Sequence, residues 1–84
     1  MTRLWAAGTR ITVLADVAGL PQGFTWQARS HTVQVVLDRW RVDVEWWRWR
    51  VWREYFRLAT RTGLLVVVYH DLLEDRWYLQ RVYD

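Results

Sequence analysis

Apolar and polar residues alternate along most of this chain, and the spacing predicts short β-strands. Strand-like alternation covers residues 9–17, 24–28, 31–42, 55–60, 64–69 and 77–83. Turn-forming residues separate these segments, because glycine permits conformations that other residues resist and proline presets φ. The turn signals are the cluster at residues 19–23, the pair Arg29-Ser30, Gly63 and the polar stretch at residues 71–75.

The segments on either side of Gly63 predict a β-hairpin in the middle of the sheet. Residues 64–69 are apolar at every position, so this strand should be covered on both faces. The sequence contains no linker, repeat or low-complexity tract. We therefore predict a single all-β, mainly antiparallel domain over residues 1–84, built as a small five- or six-stranded barrel or a strongly bent sheet.

The last segment, residues 77–83, predicts a strand that belongs to the sheet and is not a flexible recognition tail. Alternation places Trp77 and Leu79 on one face and Val82 on the other. Trp77 and Leu79 are therefore expected in the core.

Residues 43–53 fit two kinds of secondary structure. Val44, Trp47, Val51 and Tyr55 follow the spacing of a helical stripe. Valine, tryptophan and tyrosine, however, favour strands over helices. A short helix within residues 43–53 is thus an alternative to a strand.

The composition makes tryptophan the main source of core packing. A domain of this size buries only about 60–65% of the surface that its unfolded chain exposes. With 0 Cys and 2 His, neither disulfides nor a structural zinc site can compensate, whereas 8 Trp supply large apolar rings. The lack of cysteine fits a reducing compartment, and no signal peptide or stretch of about 20 apolar residues is visible. We expect a soluble cytoplasmic protein.

Residues suited to catalysis or metal binding are sparse. His70 and Asp71 are adjacent, and neighbouring strand residues point to opposite faces, so we interpret them as a strand-end histidine and an aspartate that opens a turn. Asp71, Glu74 and Asp75 are typical of a solvated loop. Ser30 is the only serine, and no phosphate-binding glycine motif is present. We expect no enzymatic activity, no cofactor or metal, and no small-molecule substrate.

One segment combines tryptophan with the whole excess of positive charge. Every basic residue is arginine, and residues 39–57 hold six arginines against three carboxylates, which equals the net charge of +3. As a strand, residues 46–53 would carry aromatic side chains on both faces, and both faces cannot enter so small a core. The candidate binding surface consists of Arg39, Trp40, Arg41, Trp46, Trp47, Arg48, Trp49, Arg50, Trp52 and Arg53.

Four interpretations of this surface remain open. Tryptophan and arginine are enriched at interface hot spots, so we expect a protein partner or a homo-oligomer. Single-stranded nucleic acid is the alternative, since aromatic rings stack on bases and arginines hold phosphates. The tryptophans could instead pack inside while the arginines pair with nearby carboxylates. A basic amphipathic helix at a membrane surface is the remaining interpretation, although we expect no membrane partner.

The C-terminal half also combines a doubled tryptophan with a distinctive ending. The pattern consists of Arg39-Trp40-Arg41-Val42, Glu45-Trp46-Trp47, residues 53–58, Gly63 and residues 76–84. It resembles a small family of uncharacterised bacterial domains, which occur as standalone proteins. A similar pattern occurs at the C-terminus of catalytically inactive, Y-family-polymerase-like subunits of the bacterial mutagenesis complex. The resemblance covers about residues 31–84, more loosely residues 11–28. It implies a compact β domain with a non-enzymatic accessory role in DNA repair or damage tolerance.

Overall fold

The computed structural model describes the backbone of residues 2–83 and the side chains of residues 8–45 and 47–83. All regular structure in this part of the chain is β-strand: β1 Thr2–Ala15, β2 Pro21–Trp26, β3 Arg29–Trp46, β4 Trp49–Thr60, β5 Leu65–Asp71 and β6 Arg76–Tyr83. Each strand pairs antiparallel with the next, and β6 pairs with β1. The sheet therefore closes on itself, without forming a regular barrel. The predicted all-β, mainly antiparallel fold of five or six strands is confirmed, with six strands.

The hairpin around Gly63 lies where the sequence predicts it. Gly63 has a φ of 89°, and the Thr60 amide donates to the Leu64 carbonyl over 2.9 Å. β5 then runs between β4 and β6, with buried residues from Val66 to Tyr69. The continuous apolar run is explained by this central place, because both faces of the strand are covered.

The main core fills the inner face of the closed sheet. Its buried members come from β1, β2, β4, β5 and β6, and they are Ile11, Phe24, Phe56, Leu58, Val66, Val68, Leu79 and Val82. A second, smaller cluster on the outer face contains Tyr55, Val67 and Tyr69. The two clusters together hold β4, β5 and β6 as a rigid base.

β6 departs from strict alternation. Leu79 pairs with Val68, whereas Arg81 pairs with Val67, so Gln80 is an extra residue in a β-bulge. Leu79 and Val82 therefore both point into the main core. The prediction that Val82 faces away from Leu79 is wrong for this reason, while β6 as a member of the sheet is confirmed.

Two turns form without the residues that usually signal them. The predicted turn at Arg29-Ser30 lies two residues earlier, at Gln27 and Ala28, which adopt φ of 51° and 60°. Positive φ at both central residues suits the right-handed twist of a two-residue hairpin. The second turn connects β3 to β4 at Trp47 and Arg48, and of these two residues Trp47 has a positive φ, 56°.

The helical alternative for residues 43–53 is wrong. These residues form the end of β3, the turn and the start of β4, and Val44 pairs with Val51. Cross-strand pairing gives the valines and tryptophans neighbours on a pleated surface, which suits their shape better than a helix does. The part of the chain that the structure describes contains no helix able to cross a membrane.

Candidate interaction surface

Residues 38–53, which we call the arm, end in a two-stranded ribbon over residues 43–52 that extends past the closed sheet. Residues 38–46 pair with residues 49–57 in unbroken register. On the far side of β4, pairing with β5 stops at Arg53, opposite Asp71. On the far side of β3, pairing with β2 stops at Thr32. The arm is thus held at its base and presents its outer part to solvent.

One face of the arm is apolar and exposed. Trp40 is 41% exposed, Val44 51% and Trp49 65%, and in the turn Trp47 reaches 82%. Alternation along both strands places Trp40 and Val44 on the same face as Trp49. Val44 and Trp49 line a groove whose other wall includes Leu73, from the turn after β5. Large apolar side chains grouped in this way mark a binding surface more often than scattered ones do.

The opposite face of the arm is charged, and most of its charges are paired. Arg39 and Arg41 both bind the carboxylate of the buried Glu54, with 2.6 Å from Arg41 Nη2 to Glu54 Oε2. Arg50 donates twice to Asp43, each time over 3.2 Å. On this face three arginines balance three carboxylates, so the predicted net positive charge of residues 39–57 rests on Arg48, Arg53 and Arg57.

Glu54 connects the arm to the closed sheet electrostatically. Burial alone would raise the pKa of its carboxyl group, but hydrogen bonds from Arg41 and Arg39 outweigh burial, and the pKa lies below its ordinary value. The side chain is thus a carboxylate at neutral pH. Its two arginine partners fix the charged face at the base of the arm.

A row of four aromatic rings crosses the outer face from the arm into the sheet. Trp40, Tyr55, Tyr69 and Tyr78 are partners in successive strands from β3 to β6. Their neighbouring ring centroids are 5.3, 5.1 and 5.0 Å apart. The guanidinium of Arg53 lies 4.5 Å from the Tyr69 centroid. Contacts at these separations stabilise the pairs beyond simple burial and give the arm a stiff base.

β3 also presents an open backbone edge. Past Thr32, no strand within residues 2–83 pairs with the side of β3 that faces away from β4. Register shifts interrupt β3 near Gln34 and Leu37, but residues 38–46 are regular. Residues 38–46 contain no proline, so every residue of this edge carries a backbone N–H, and their charged side chains are the feature that limits indiscriminate strand addition. The backbone groups of the arm are available to an added strand.

The ten predicted surface residues are brought together in the arm but divided between its faces. Trp40, Trp49 and Arg53 lie on the outer face, and the Trp46 side chain lies outside the described residues. The charged face carries Arg39, Arg41, Arg50 and Trp52, with the Arg50 guanidinium 4.6 Å from the Trp52 ring. Trp47 and Arg48 occupy the turn, where the guanidinium lies 5.4 Å from the indole.

Sequence reasoning missed Val44, Glu54 and the tyrosine row as parts of this surface. Tyr55, Tyr69 and Tyr78 stand in three separate segments, and only strand register shows that they are neighbours. Alternation from Trp40 through Val42 to Val44 was a local signal that could have identified the apolar face.

His70 and Asp71 both make contacts with the turn that follows β5. His70 stacks on Trp77 at 4.4 Å and contacts Asp75 over 2.7 Å. Asp71 accepts hydrogen bonds from the amides of Leu73 and Glu74, so it opens the turn as predicted. Among the described side chains, no group of three or more histidines or carboxylates is arranged to hold a metal ion.

Comparison with known proteins adds no relative to this picture. No protein-family model, no curated protein and no solved structure matches the chain.

Proposed function

We propose that this protein is a non-enzymatic interaction module whose arm binds another protein chain. The observation that carries this proposal is the coincidence, on one regular ribbon, of an exposed apolar face and an open strand edge. Strand addition supplies backbone hydrogen bonds, and exposed side chains of alternate residues supply specificity. The proposal includes an accessory role in DNA repair or damage tolerance, and only the family resemblance supports that part.

The arm's own ion pairs favour a protein over a nucleic acid. Arg39, Arg41 and Arg50 already contact carboxylates, so phosphate binding would have to compete with those contacts. Truncating an exposed aromatic anchor typically costs an interface about 2 kcal/mol or more. We therefore expect binding to depend on the apolar face, and to fall less steeply with salt than phosphate binding would.

The test compares charged substitutions on the arm with one elsewhere. Val44→Lys and Trp49→Lys place a charge on the apolar face, whereas Val17→Lys does so in the exposed turn between β1 and β2. All three side chains are exposed, so folding should persist. Analytical ultracentrifugation over a concentration series should show association of the wild type and of Val17→Lys, with at least a tenfold loss in both arm variants. Association that is equally strong in all three variants would contradict the proposal.

Direct binding of single-stranded nucleic acid is the second candidate. It is favoured by the tip, where exposed Trp47 and Trp49 flank Arg48. Tryptophan fluorescence should then be quenched by single-stranded DNA, with affinity falling steeply as salt rises. Val44→Lys separates the two functions, because an added cation should strengthen phosphate binding while it weakens an apolar contact. Absence of quenching at low salt excludes this candidate.

A further inference from the structure

The partner of the arm can be specified from the order of charges along β3. Its charged face presents Arg39, Arg41, Asp43 and Glu45 in sequence, two cations followed by two anions. An antiparallel copy of the same strand presents this order reversed. We propose that β3 pairs with β3 of a second copy around a two-fold axis at Val42. This inference rests on the proposed binding function of the arm.

This register matches opposite charges at every charged position on that face. With Val42 opposite Val42 of the second copy, Arg41 lies opposite Asp43, and Arg39 lies opposite Glu45. The two-fold axis repeats both pairs, so four cross-strand ion pairs form. Opposite charges directly across a strand pair are stabilising, and like charges are destabilising.

Within one chain, the ion pairs of the arm leave positive charge in excess at its base and negative charge in excess toward its tip. At the base of the arm, Arg39 and Arg41 share the single carboxylate of Glu54. Toward the tip, Asp43 and Glu45 have Arg50 as their one neighbouring cation among the described residues of this face, and Arg50 bonds Asp43. One half of the arm thus has a surplus positive charge and the other half a surplus negative charge. The two-fold arrangement sets each half against its opposite.

The apolar face is also self-complementary in this register. Trp40 lies opposite Val44 of the second copy, and the two Val42 side chains meet at the axis. Trp40 and Val44 are exposed in the single chain, so pairing covers apolar surface that no other described residue covers. Residues 38–46 give an uninterrupted edge of about 30 Å, longer than a typical strand of a globular sheet.

Disulfide trapping tests the register directly, since the chain contains 0 Cys. In Val42→Cys, the new thiol faces its own copy across neighbouring strands, about 5 Å apart between Cα atoms. In the matched variant Val44→Cys, the two Cα atoms would be about 14 Å apart, beyond the reach of a disulfide. Under mild oxidation of the full chain, we expect a covalent dimer from Val42→Cys and mainly monomer from Val44→Cys.

A charge exchange provides a second, independent measurement. Arg39→Glu and Glu45→Arg each place like charges opposite one another twice, so each variant alone should dimerise about tenfold more weakly than the wild type. A mixture of the two variants restores opposite charges at both positions and should recover wild-type association. Circular dichroism melts check that each variant is folded, because Arg39 also contacts Glu54.

The outcomes separate this inference from the proposed function. Equal trapping of both cysteine variants, or a mixture no stronger than its components, overturns pairing at Val42. If trapping fails at both positions while Val44→Lys still weakens association, the arm binds in another way, and only the inference is wrong. A wild type that stays monomeric but associates with a different protein through the arm also overturns the second copy as partner.

Discussion

The indole of Trp40 lies almost parallel to the ring of Tyr55, with an angle of 6° between the planes and 5.3 Å between the centroids. Trp40 belongs to the arm, whereas Tyr55 is buried on the outer face of the closed sheet. This stack is therefore the first contact through which the arm and the sheet stabilise each other.

Trp40→Ala should lower the free energy of unfolding by about 1–2 kcal/mol, because it removes the stack and part of the apolar cover over Tyr55. Trp49→Ala is the matched control, since the same residue type is more exposed there. Its effect should be the smaller of the two, because most of the Trp49 side chain already lies in solvent. Urea unfolding followed by circular dichroism measures the free energy of unfolding of both variants. Equal losses of stability would show that the Trp40–Tyr55 stack does not stabilise the fold.

Gly8→Ala should destabilise the fold strongly. An added Cβ would lie 3.0 Å from Tyr78 Cβ and 3.1 Å from the Tyr69 ring, in a backbone with φ of 76°. Gly63→Ala is the control, because its φ is 89° but no atom lies within 4 Å. Gly63→Ala should therefore cost only the backbone strain of about 1–2 kcal/mol. Thermal melts should show a clearly larger loss for Gly8→Ala, and a reversed order would mean that the tyrosines move aside readily.

Stability should fall in acid through Glu54. Its pKa is lower in the folded chain than in the unfolded chain, so its contribution is present above the unfolded value of 4.5. That contribution is lost as the pH falls through the folded value. Glu54→Gln should thus be less stable than the wild type at pH 7, with the difference shrinking below about pH 4. Glu74→Gln, at an exposed turn position, should follow the wild type throughout a pH series of urea unfolding curves.

Removal of β6 should abolish cooperative unfolding. This strand connects β5 to β1, and Leu79 and Val82 are fully buried. A chain ending before Arg76 therefore loses the closure of the sheet and part of the main core. Trp77→Ala should cost about 2–3 kcal/mol, less than a fully buried ring, because Trp77 is half-buried against Phe56. A cooperative, native-like melt of the truncated chain would contradict the structural role of this strand.

The sequence predicted the parts of the fold that follow local rules. Gly63 marks a turn because it adopts a positive φ, and the apolar run after it requires a strand covered on both faces. The Trp/Arg segment was recognised as a surface because so many rings cannot fit one small core. The division of this segment into an apolar and a charged face follows from the turn at Trp47 and Arg48. The sequence did not predict that turn, because it contains no glycine, asparagine or proline.

Long-range pairing accounts for what the sequence did not predict. The bulge at Gln80 reverses the side to which Val82 points, and a bulge depends on the partner strand more than on the residue itself. The contacts of Glu54 with Arg39 and Arg41 likewise require β3 and β4 to pair in one particular register. The order of charges along β3 can be read from the sequence. Its complementarity to a second copy follows only from the open edge of β3 in the structure.

β2 has fewer residues paired with its neighbours than any other strand. It forms four residue pairs with β1 and four with β3, whereas β3 and β4 form twelve. Local opening follows the weakest set of backbone hydrogen bonds. Amide protons of β2 should therefore exchange with solvent well before those of β5. Opening at β2 would leave the pairing of β3 with β4, and hence the arm, intact.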